Sequence, residues 1–342
     1  MSLSIDDKVS FLRSPDAYPR RPDKVSVIET HMSFVFLSGE TAYKLKKPVC
    51  FPFLDFTTLA AREANCREEV RLNRRLAPDV YRGVRPLVSD GQDRLHLGGE
   101  GTVVDWLVEM RRLPADRMLD RLLAARSVGA EEVEQLGRVL SAFYARVDHP
   151  VLDSSDMYGR FVAQHGEDRQ ILMRPEFRID HERATRVFAR LEHALVEQRS
   201  AIEERVNSGR FVEGHGDLRP EHVCLCTPIA IFDCLEFDRE LRLVDPFQEL
   251  AFLSMETAVA GAAWFGPRLV REVERRLKDT MTPELFSLYA AFRAVLRARL
   301  AVAHLLDRDG RRRDQWEPQA DRYLAFAERS LLTVSRGEVD MD

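Results

Sequence analysis

Long hydrophobic runs are missing from this 342-residue chain. No apolar stretch approaches the roughly 20 residues that span a bilayer. Met1 to Asp7 has no basic segment followed by an apolar one, so neither a membrane anchor nor a secretory leader is expected. Excess positive charge is also missing. Lys and Arg number 51 against 56 Asp and Glu, a net charge of −5, which argues against a nucleic-acid or anionic-membrane binder. Cysteine is scarce: Cys50, Cys66, Cys224, Cys226 and Cys234 are an odd number in a long chain, which does not fit a disulfide framework. Reduced thiols in a cytoplasmic protein are expected, and the Cys224, Cys226, Cys234 group, with no matching pair elsewhere, reads as small core side chains rather than zinc ligands. The pattern G-x-x-x-x-G-K-[ST] is absent, which excludes a P-loop ATPase. There is no internal repeat or low-complexity segment, and the run Arg308–Arg313 reads as a solvated helix terminus or loop.

What is present suffices for a real core. Hydrophobic content is 45% and charged content 31%, near the averages for globular proteins, in a length that suits one large domain or two lobes. Val25–Glu29 and Ser33–Leu37 are β-branched or aromatic runs, and Ser38-Gly39-Glu40 turns the second into Thr41–Lys47, a hairpin. Pro48 and Pro52 interrupt this pattern before a helix over Leu59–Leu76, which Pro78 ends. Three more strands are predicted at Gly83–Val88, Arg94–Gly98 and Thr102–Met110. From Met118 helices dominate, with helical spacing in Val133, Leu136, Leu140, Phe143, Tyr144 and Val147 and again across His181–Val206. Asp148–Arg178, with two prolines, reads as irregular. A strand-rich island, Phe211–Cys226 and Ile229–Phe237, precedes helices at Pro246–Ala260, Pro283–Leu306 and Ala320–Thr333. This order predicts an α+β, two-lobed architecture: residues 1–110 as a small antiparallel-sheet lobe with one helix, and 111–342 as a mostly helical lobe carrying the island.

The island holds the chemistry. Gly214-His215-Gly216-Asp217-Leu218-Arg219-Pro220-Glu221-His222 is followed by Ile231-Phe232-Asp233-Cys234-Leu235-Glu236-Phe237-Asp238, so two carboxylates are expected at the ends of neighbouring strands. Either aspartate alone is also an ordinary turn residue. Together they suit phosphoryl transfer, in which one carboxylate orients the attacking hydroxyl and accepts its proton while another holds Mg²⁺ on the nucleotide phosphates.

These residues resemble the aminoglycoside-phosphotransferase-like group of the protein-kinase-like fold, whose catalytic loop reads H-G-D-x-x-x-x-N. The resemblance implies a two-lobed, ATP- and Mg²⁺-dependent phosphotransferase acting on a small molecule. It makes Asp217 the catalytic base, within a loop that includes His215, and puts Asp233 where the metal-binding aspartate of D-F-G or I-D-F stands. Leu243 to Ala251 looks like the following D-x-x-x-D-L-A element, with Asp245 bracing the catalytic loop and Glu249 in the second acidic place.

The first lobe then needs a Lys on its third strand to grip phosphate and a helix Glu to hold it. Thr41-Ala42-Tyr43-Lys44 fits V-A-x-K and makes Lys44 the choice, while Lys46, on the same face, is the alternative. On the helix Glu69 shares a face with Cys66, Leu72 and Leu76 and is the expected partner, whereas Glu68 suits Arg71 and Arg75. Thr30 and Ser33 lie where a phosphate-covering loop would be and are its candidate donors, although a plain hairpin turn explains them equally. By resemblance Glu109-Met110-Arg111 is the hinge, whose backbone would meet adenine.

More narrowly, Ala42-Tyr43-Lys44-Leu45-Lys46-Lys47-Pro48, Phe53-Leu54-Asp55-Phe56, Arg71 to Pro78 and Phe232 to Phe237 look like a bacterial branch of this group. Some members of that branch carry a further ATPase domain, for which this length leaves no room.

The pattern departs at His222, which stands where the metal-site Asn is expected. Imidazole suits Mn²⁺ better than Mg²⁺. Either His222 is a substitute ligand or phosphate contact, or the site is a weakened pseudokinase that binds nucleotide as a regulatory module. Glu236 and Asp238 are candidate compensating oxygen ligands. A third reading is transfer of AMP to a protein; a metal hydrolase built on His215, Asp217 and His222 leaves Lys44 and Glu69 unexplained. Tyr289, Arg293 and Arg297, four residues apart on one predicted helix face, are candidates for an acidic acceptor or a phosphate. Salt-bridged arginines would give the same pattern.

Overall fold

The computed structural model describes residues 3–51, 54–306 and 313–335. Pro52, Phe53 and all but the last residue of the run Arg308–Arg313 lie outside the described residues. The chain divides into two compact units, Met1–Met118 with His222–Leu241, and Leu119–Glu221 with Arg242–Asp342.

The first unit opens with helix α1 (Ile5–Arg13), which the sequence reading did not anticipate. Its start was legible: Ser4 caps the helix and accepts the Asp7 N–H while the Asp7 carboxylate returns to the Ser4 backbone, a capping box. The strands β1 (Val25–Glu29), β2 (Ser33–Ser38) and β3 (Thr41–Lys46) follow. Gly39, at φ 57°, takes the left-handed conformation that a two-residue hairpin between β2 and β3 requires. A short ribbon, β4 (Cys50–Phe51) and β5 (Leu54–Asp55), leads to helix α2 (Leu59–Asn73), capped by Thr58. That helix ends at Asn73, three residues before the expected Leu76, because Arg74 to Leu76 form a tighter turn that closes on Leu72 and Asn73. β6 (Tyr81–Ser89), β7 (Leu95–Leu97) and β8 (Thr102–Arg111) complete an antiparallel six-stranded sheet in the order β1-β2-β3-β8-β6-β7.

One face of this sheet buries Leu12, Tyr18, Phe36, Tyr43, Leu45, Leu87 and Leu107, so α1 belongs to the core. Within it Asp105 accepts from both Lys8 of α1 (2.8 Å) and Arg62 of α2 (2.8 Å), all three nearly inaccessible. The other face buries Cys66, Val70, Val80, Tyr81 and Val108.

The second unit is helical: α3 (Leu119–Ala124), α4 (Ala130–Tyr144), α5 (Ser154–Leu172), α6 (His181–Glu197) and α7 (Arg199–Asn207). The segment expected to be irregular contains the 19-residue helix α5, capped by Asp153. Its buried stripe is Met157, Phe161, His165, Asp168 and Leu172, and the two polar members hid the apolar period. The expected continuous helix over His181–Val206 breaks at Gln198, which sits at φ −91°, ψ 4°.

After β9 (Val212–Glu213) the chain enters the first unit, where β10 (Val223–Cys224) pairs with β11 (Ala230–Ile231). The island is thus built of two-residue strands rather than long ones, and β9 pairs with β12 (Leu243–Val244). The contiguous division at residue 110 therefore differs from the structural one. Cys224 and Ala230 bury against Cys66, Val70 and Tyr81, and this apolar contact takes the segment carrying Asp233 into the sheet unit.

The helices α8 (Pro246–Val259), α9 (Phe265–Leu277), α10 (Pro283–Ala303) and α11 (Arg313–Ser335) finish the second unit. Helix α9, not among the helices expected from the sequence, buries Phe265, Leu269 and Val273. Its α10 buries a ladder from Leu285 to Val302 among Phe161, Phe188, Phe252 and Tyr323. Among the described residues Cys66, Cys224 and Cys234 are buried and all five thiols are free, and no cluster of His, Cys, Asp and Glu is suited to a metal. No described helix is long and apolar enough to cross a membrane.

Replacing Asp105 with Asn is expected to lower stability by about 3–5 kcal/mol, since two buried cations would lose their shared counter-ion. Urea denaturation of the variant measures this, and an unchanged midpoint would refute the assignment.

Candidate active site

Strand alternation fixes the first cluster. In β3 residues 44 and 46 share a face, and both lysines reach the same carboxylate on α2. Lys44 Nζ lies 2.9 Å from Glu69 Oε1, and Lys46 Nζ 2.6 Å from Glu69 Oε2. Glu68 pairs with Arg71 instead. Both lysines also bond to the loop after β11: Lys44 Nζ is 2.8 Å from Asp233 Oδ1, and Lys46 Nζ is 2.6 Å from Glu236 Oε1. Lys44 is therefore the member that meets the aspartate, while Lys46, the alternative, is 1% exposed and its ammonium is shared by Glu69 and Glu236.

Burial pushes the Glu69 carboxyl upward, but Lys44 and Lys46 outweigh it and hold the pKa below the usual glutamate range. Asp233 is likewise held low, burial being opposed by Lys44 and His222. Lys44 is well above the ordinary lysine value, since Asp233 and Glu69 overcome the desolvation that would lower it.

Asp233 sits at φ 61°, in the left-handed region that Asp tolerates better than most residues. The turn is held by neighbours the sequence reading had not singled out. Asp233 N–H donates to the Tyr81 hydroxyl (3.3 Å), and Cys234 N–H to Asn73 Oδ1 (2.9 Å), while Asn73 Nδ2 donates to the Glu69 carbonyl (2.9 Å). One helix thus fixes both the lysine pair and the aspartate turn. His222, 6% exposed, has Nε2 3.6 Å from Asp233 Oδ2. Glu236 is engaged by Lys46, and Asp238 accepts the Glu240 N–H (2.8 Å), so both candidate extra oxygen ligands have structural partners.

Four further candidates in this unit are tied into secondary structure. The Thr30 hydroxyl donates to the Ser33 carbonyl (3.1 Å) and accepts from Ser33 N–H (3.0 Å), and Ser33 is buried, so the pair closes its own turn. Glu109 lies on an interior strand, in register with Tyr43 and Gly83, and its carboxylate meets Arg85 (2.6 Å). Arg111 N–H donates to the Val80 carbonyl (2.8 Å).

The second unit holds the catalytic-loop candidates. Glu249, one turn into α8 and 1% exposed, accepts the His215 N–H (2.6 Å) and the Gly216 N–H at Oε1, and the Tyr144 hydroxyl at Oε2 (2.8 Å). A side chain at Gly214 would bring its Cβ within 2.7 Å of Glu249 Oε1, so the approach needs glycine there. The loop brace is therefore Glu249. Asp245, expected in that role, accepts Phe247 N–H as the cap of α8 and pairs with Arg205, which also meets Asp279 (2.9 Å). Burial pushes both Glu249 and Asp245 upward.

Asp217 N–H reaches His215 Nδ1 (3.3 Å), and the Asp217 carboxylate, 24% exposed, is met by Arg219 Nε at 3.0 Å. Arg219 also pairs with Glu221 (2.6 Å). Of the α10 candidates, Tyr289 has no exposed surface and donates to Asp245 (3.4 Å). Arg297 pairs with Glu256 (2.6 Å), and Arg293 is buried over the Phe252 ring.

No family model matches the sequence. A protein of Mycobacterium tuberculosis, strain ATCC 25618 / H37Rv, described as uncharacterised, is 32% identical over 292 residues, 83% of this chain and 56% of that protein. A Mycobacterium bovis protein matches to the same extent. The chain spans about half the length of the curated relatives it matches. Among solved structures, a choline/ethanolamine kinase family protein from Mesorhizobium loti aligns with a TM-score of 0.56 at 14% identity, covering 97% of this chain and 96% of that one. Choline kinase from Cryptosporidium parvum gives 0.55 at 10%, over 96% and 97% of the two chains. The GDP complex of aminoglycoside 2'-phosphotransferase-IIIa gives 0.52 at 14%, over 90% and 93%. The chain has the protein-kinase-like fold that these proteins share, with an antiparallel-sheet lobe and a helical lobe.

Glu69→Gln is expected to lower stability at neutral pH by about 3–5 kcal/mol, because two buried lysines share that one carboxylate. A carboxylate whose folded pKa is depressed adds stability above its unfolded value, 4.5 for Glu69, and that contribution fades as pH falls through the folded value. The wild-type melting temperature should therefore decline below that pH, and the variant should lose part of the decline. Parallel slopes would count against the pairing. Glu249→Ala should leave two loop N–H groups and the Tyr144 hydroxyl unsatisfied, at about 1–3 kcal/mol for each group. Glu249→Gln, which keeps an acceptor oxygen, should lose far less in the same denaturation assay.

Proposed function

We propose that this protein is an ATP- and Mg²⁺-dependent phosphotransferase that moves the γ-phosphoryl group to a hydroxyl of a small molecule. The observation that carries this reading is the Lys44 ammonium held between Glu69 and Asp233, a strand lysine fixed by a helix glutamate and facing a carboxylate suited to metal. The fold shared with choline kinases and an aminoglycoside phosphotransferase supports it, as does the GDP bound by one of those neighbours.

In this reading Lys44 grips nucleotide phosphate oxygens, and Glu69 keeps the lysine extended. The acceptor hydroxyl oxygen forms a bond to the γ-phosphorus, the bond to the β,γ-bridging oxygen breaks and ADP leaves. The hydroxyl proton passes to Asp217, which Glu249 orients through the backbone of His215 and Gly216. Alignment and charge neutralisation supply the rate, with no covalent enzyme intermediate.

The donor set suits a divalent cation that keeps most of its ligands from phosphate and water. Asp233 offers a partly exposed carboxylate and His222 an imidazole, while Glu236 is occupied by Lys46. A bound metal would neutralise charge on the phosphate oxygens. The carboxylate suits Mg²⁺, and the imidazole would tolerate Mn²⁺ in its place. The same His222–Asp233 approach supports a second reading, a nucleotide-binding pseudokinase with little turnover.

Isothermal titration of ATP with Mg²⁺ and then Mn²⁺ tests the nucleotide site. Binding should depend on metal and vanish in Lys44→Ala and Asp233→Ala. Asp217→Asn should keep ATP binding and lose transfer by about 10²- to 10⁴-fold. Absence of ATP and GTP binding with either metal would end the phosphotransferase reading. ATP binding that survives Asp217→Asn, with no product from the wild type at any metal concentration, would select the pseudokinase.

A further inference from the structure

Three arginines of the helical unit, Arg219, Arg293 and Arg297, feel the charge of Asp217, and two of them have carboxylate partners at bonding distance. Arg219 meets Asp217 and Glu221. Arg297 meets Glu256 at 2.6 Å, and Glu256 also accepts the Tyr323 hydroxyl at 2.9 Å. Arg293, one turn before Arg297 on α10, differs. It is 8% exposed, its guanidinium lies 5.1 Å from the Phe252 ring centre, and among the described residues it has no ion-pair partner. The carboxylates that act on it electrostatically are Glu249 and Asp217. Both Glu249 oxygens already accept from the loop N–H groups and from Tyr144. Burial lowers the pKa of Arg293, whereas its neighbour Arg297, with a partner in contact, is raised.

A charged donor group taken out of water without an acceptor is strongly unfavourable, so buried cations are normally paired. Arginine is also the residue whose planar fork matches the two oxygens of a carboxylate or phosphate. A ring beneath one face of the guanidinium holds it while leaving edge donors for a second group.

We propose that Arg293 anchors an anionic group, a carboxylate or a phosphate, on the acceptor whose hydroxyl is presented to Asp217. The acceptor class is therefore a hydroxylated acid or phosphate ester rather than a polycation. Arg293 is the contact, Arg297 is held away by Glu256, and Tyr289 belongs to the core. This inference rests on the phosphotransferase reading for the role of Asp217, but anion binding at Arg293 is measurable without turnover.

The experiment is a thermal-shift titration with millimolar inorganic phosphate, and separately with glycerate, against chloride of matched ionic strength. The proteins are wild type, Lys44→Ala, Arg293→Met and Arg293→Lys. Either probe should raise the melting temperature of the wild type and of Lys44→Ala by a few degrees. Arg293→Met should lose the response and, with the unpaired buried charge removed, melt no lower than wild type in chloride. A residue that merely supports the fold would lower it. Arg293→Lys, which keeps the charge and loses the fork, should respond less than wild type and covers the case in which the Met variant does not fold. Equal shifts in all four proteins would overturn the proposal. So would a shift lost in Lys44→Ala and kept in Arg293→Met, which would place the anion at the nucleotide lysine. ATP titration into the same proteins judges the phosphotransferase reading separately.

Discussion

Glu69 is the constraint on which the sheet unit's chemistry depends. A carboxylate with no solvent exposure must be paired, and here it is paired twice, with Lys44 through one oxygen and Lys46 through the other. Either lysine alone would be an expensive group to bury; together with Glu69, Glu236 and Asp233 they form an alternating chain of charge. The chain fixes the distance of α2 from β3 and the position of the loop after β11. Asn73, one turn on from Glu69, adds a neutral clamp to the same loop by accepting the Cys234 N–H.

The helical unit solves a similar problem with one carboxylate and, among the described residues, no ion-pair partner for it. Glu249 gathers two backbone N–H groups and a tyrosine hydroxyl, so the turn carrying Asp217 is set by hydrogen bonds from a rigid helix rather than by the loop's own preferences. Gly214 is small because this carboxylate and Val244 need the space. The Arg205 pair with Asp245 and Asp279 fixes the start of that helix, so the brace is itself braced.

Much of this was legible in the residues. The shared face of Lys44 and Lys46 and the choice of Glu69 over Glu68 follow from alternation and helical facing, which are local rules, whereas the roles expected of Lys44 and Asp233 follow from the family resemblance. The capping box at Ser4 was equally local and was passed over, as was α9 with its clean apolar stripe. Helix α5 was hidden for a physical reason: His165 and Asp168 occupy core-facing positions, and a polar residue on the buried face breaks the pattern that announces a helix.

The sequence by itself determined the secondary elements with strong periodicity, the α+β order and the chemical types at the site, because each depends on near neighbours along the chain. Only the tertiary structure decided which carboxylate braces which loop. Asp245 and Glu249 lie on the same helical turn, and nothing in their spacing tells whether a neighbour 30 or more residues away offers an N–H or a guanidinium. It likewise decided that Lys46 is buried between two glutamates, that His222–Leu241 packs with the sheet unit, and that Arg293 is enclosed with no ion-pair partner among the described residues. Pairing of buried charge is a long-range property: it is fixed by what the fold brings into contact, and sequence spacing does not encode it.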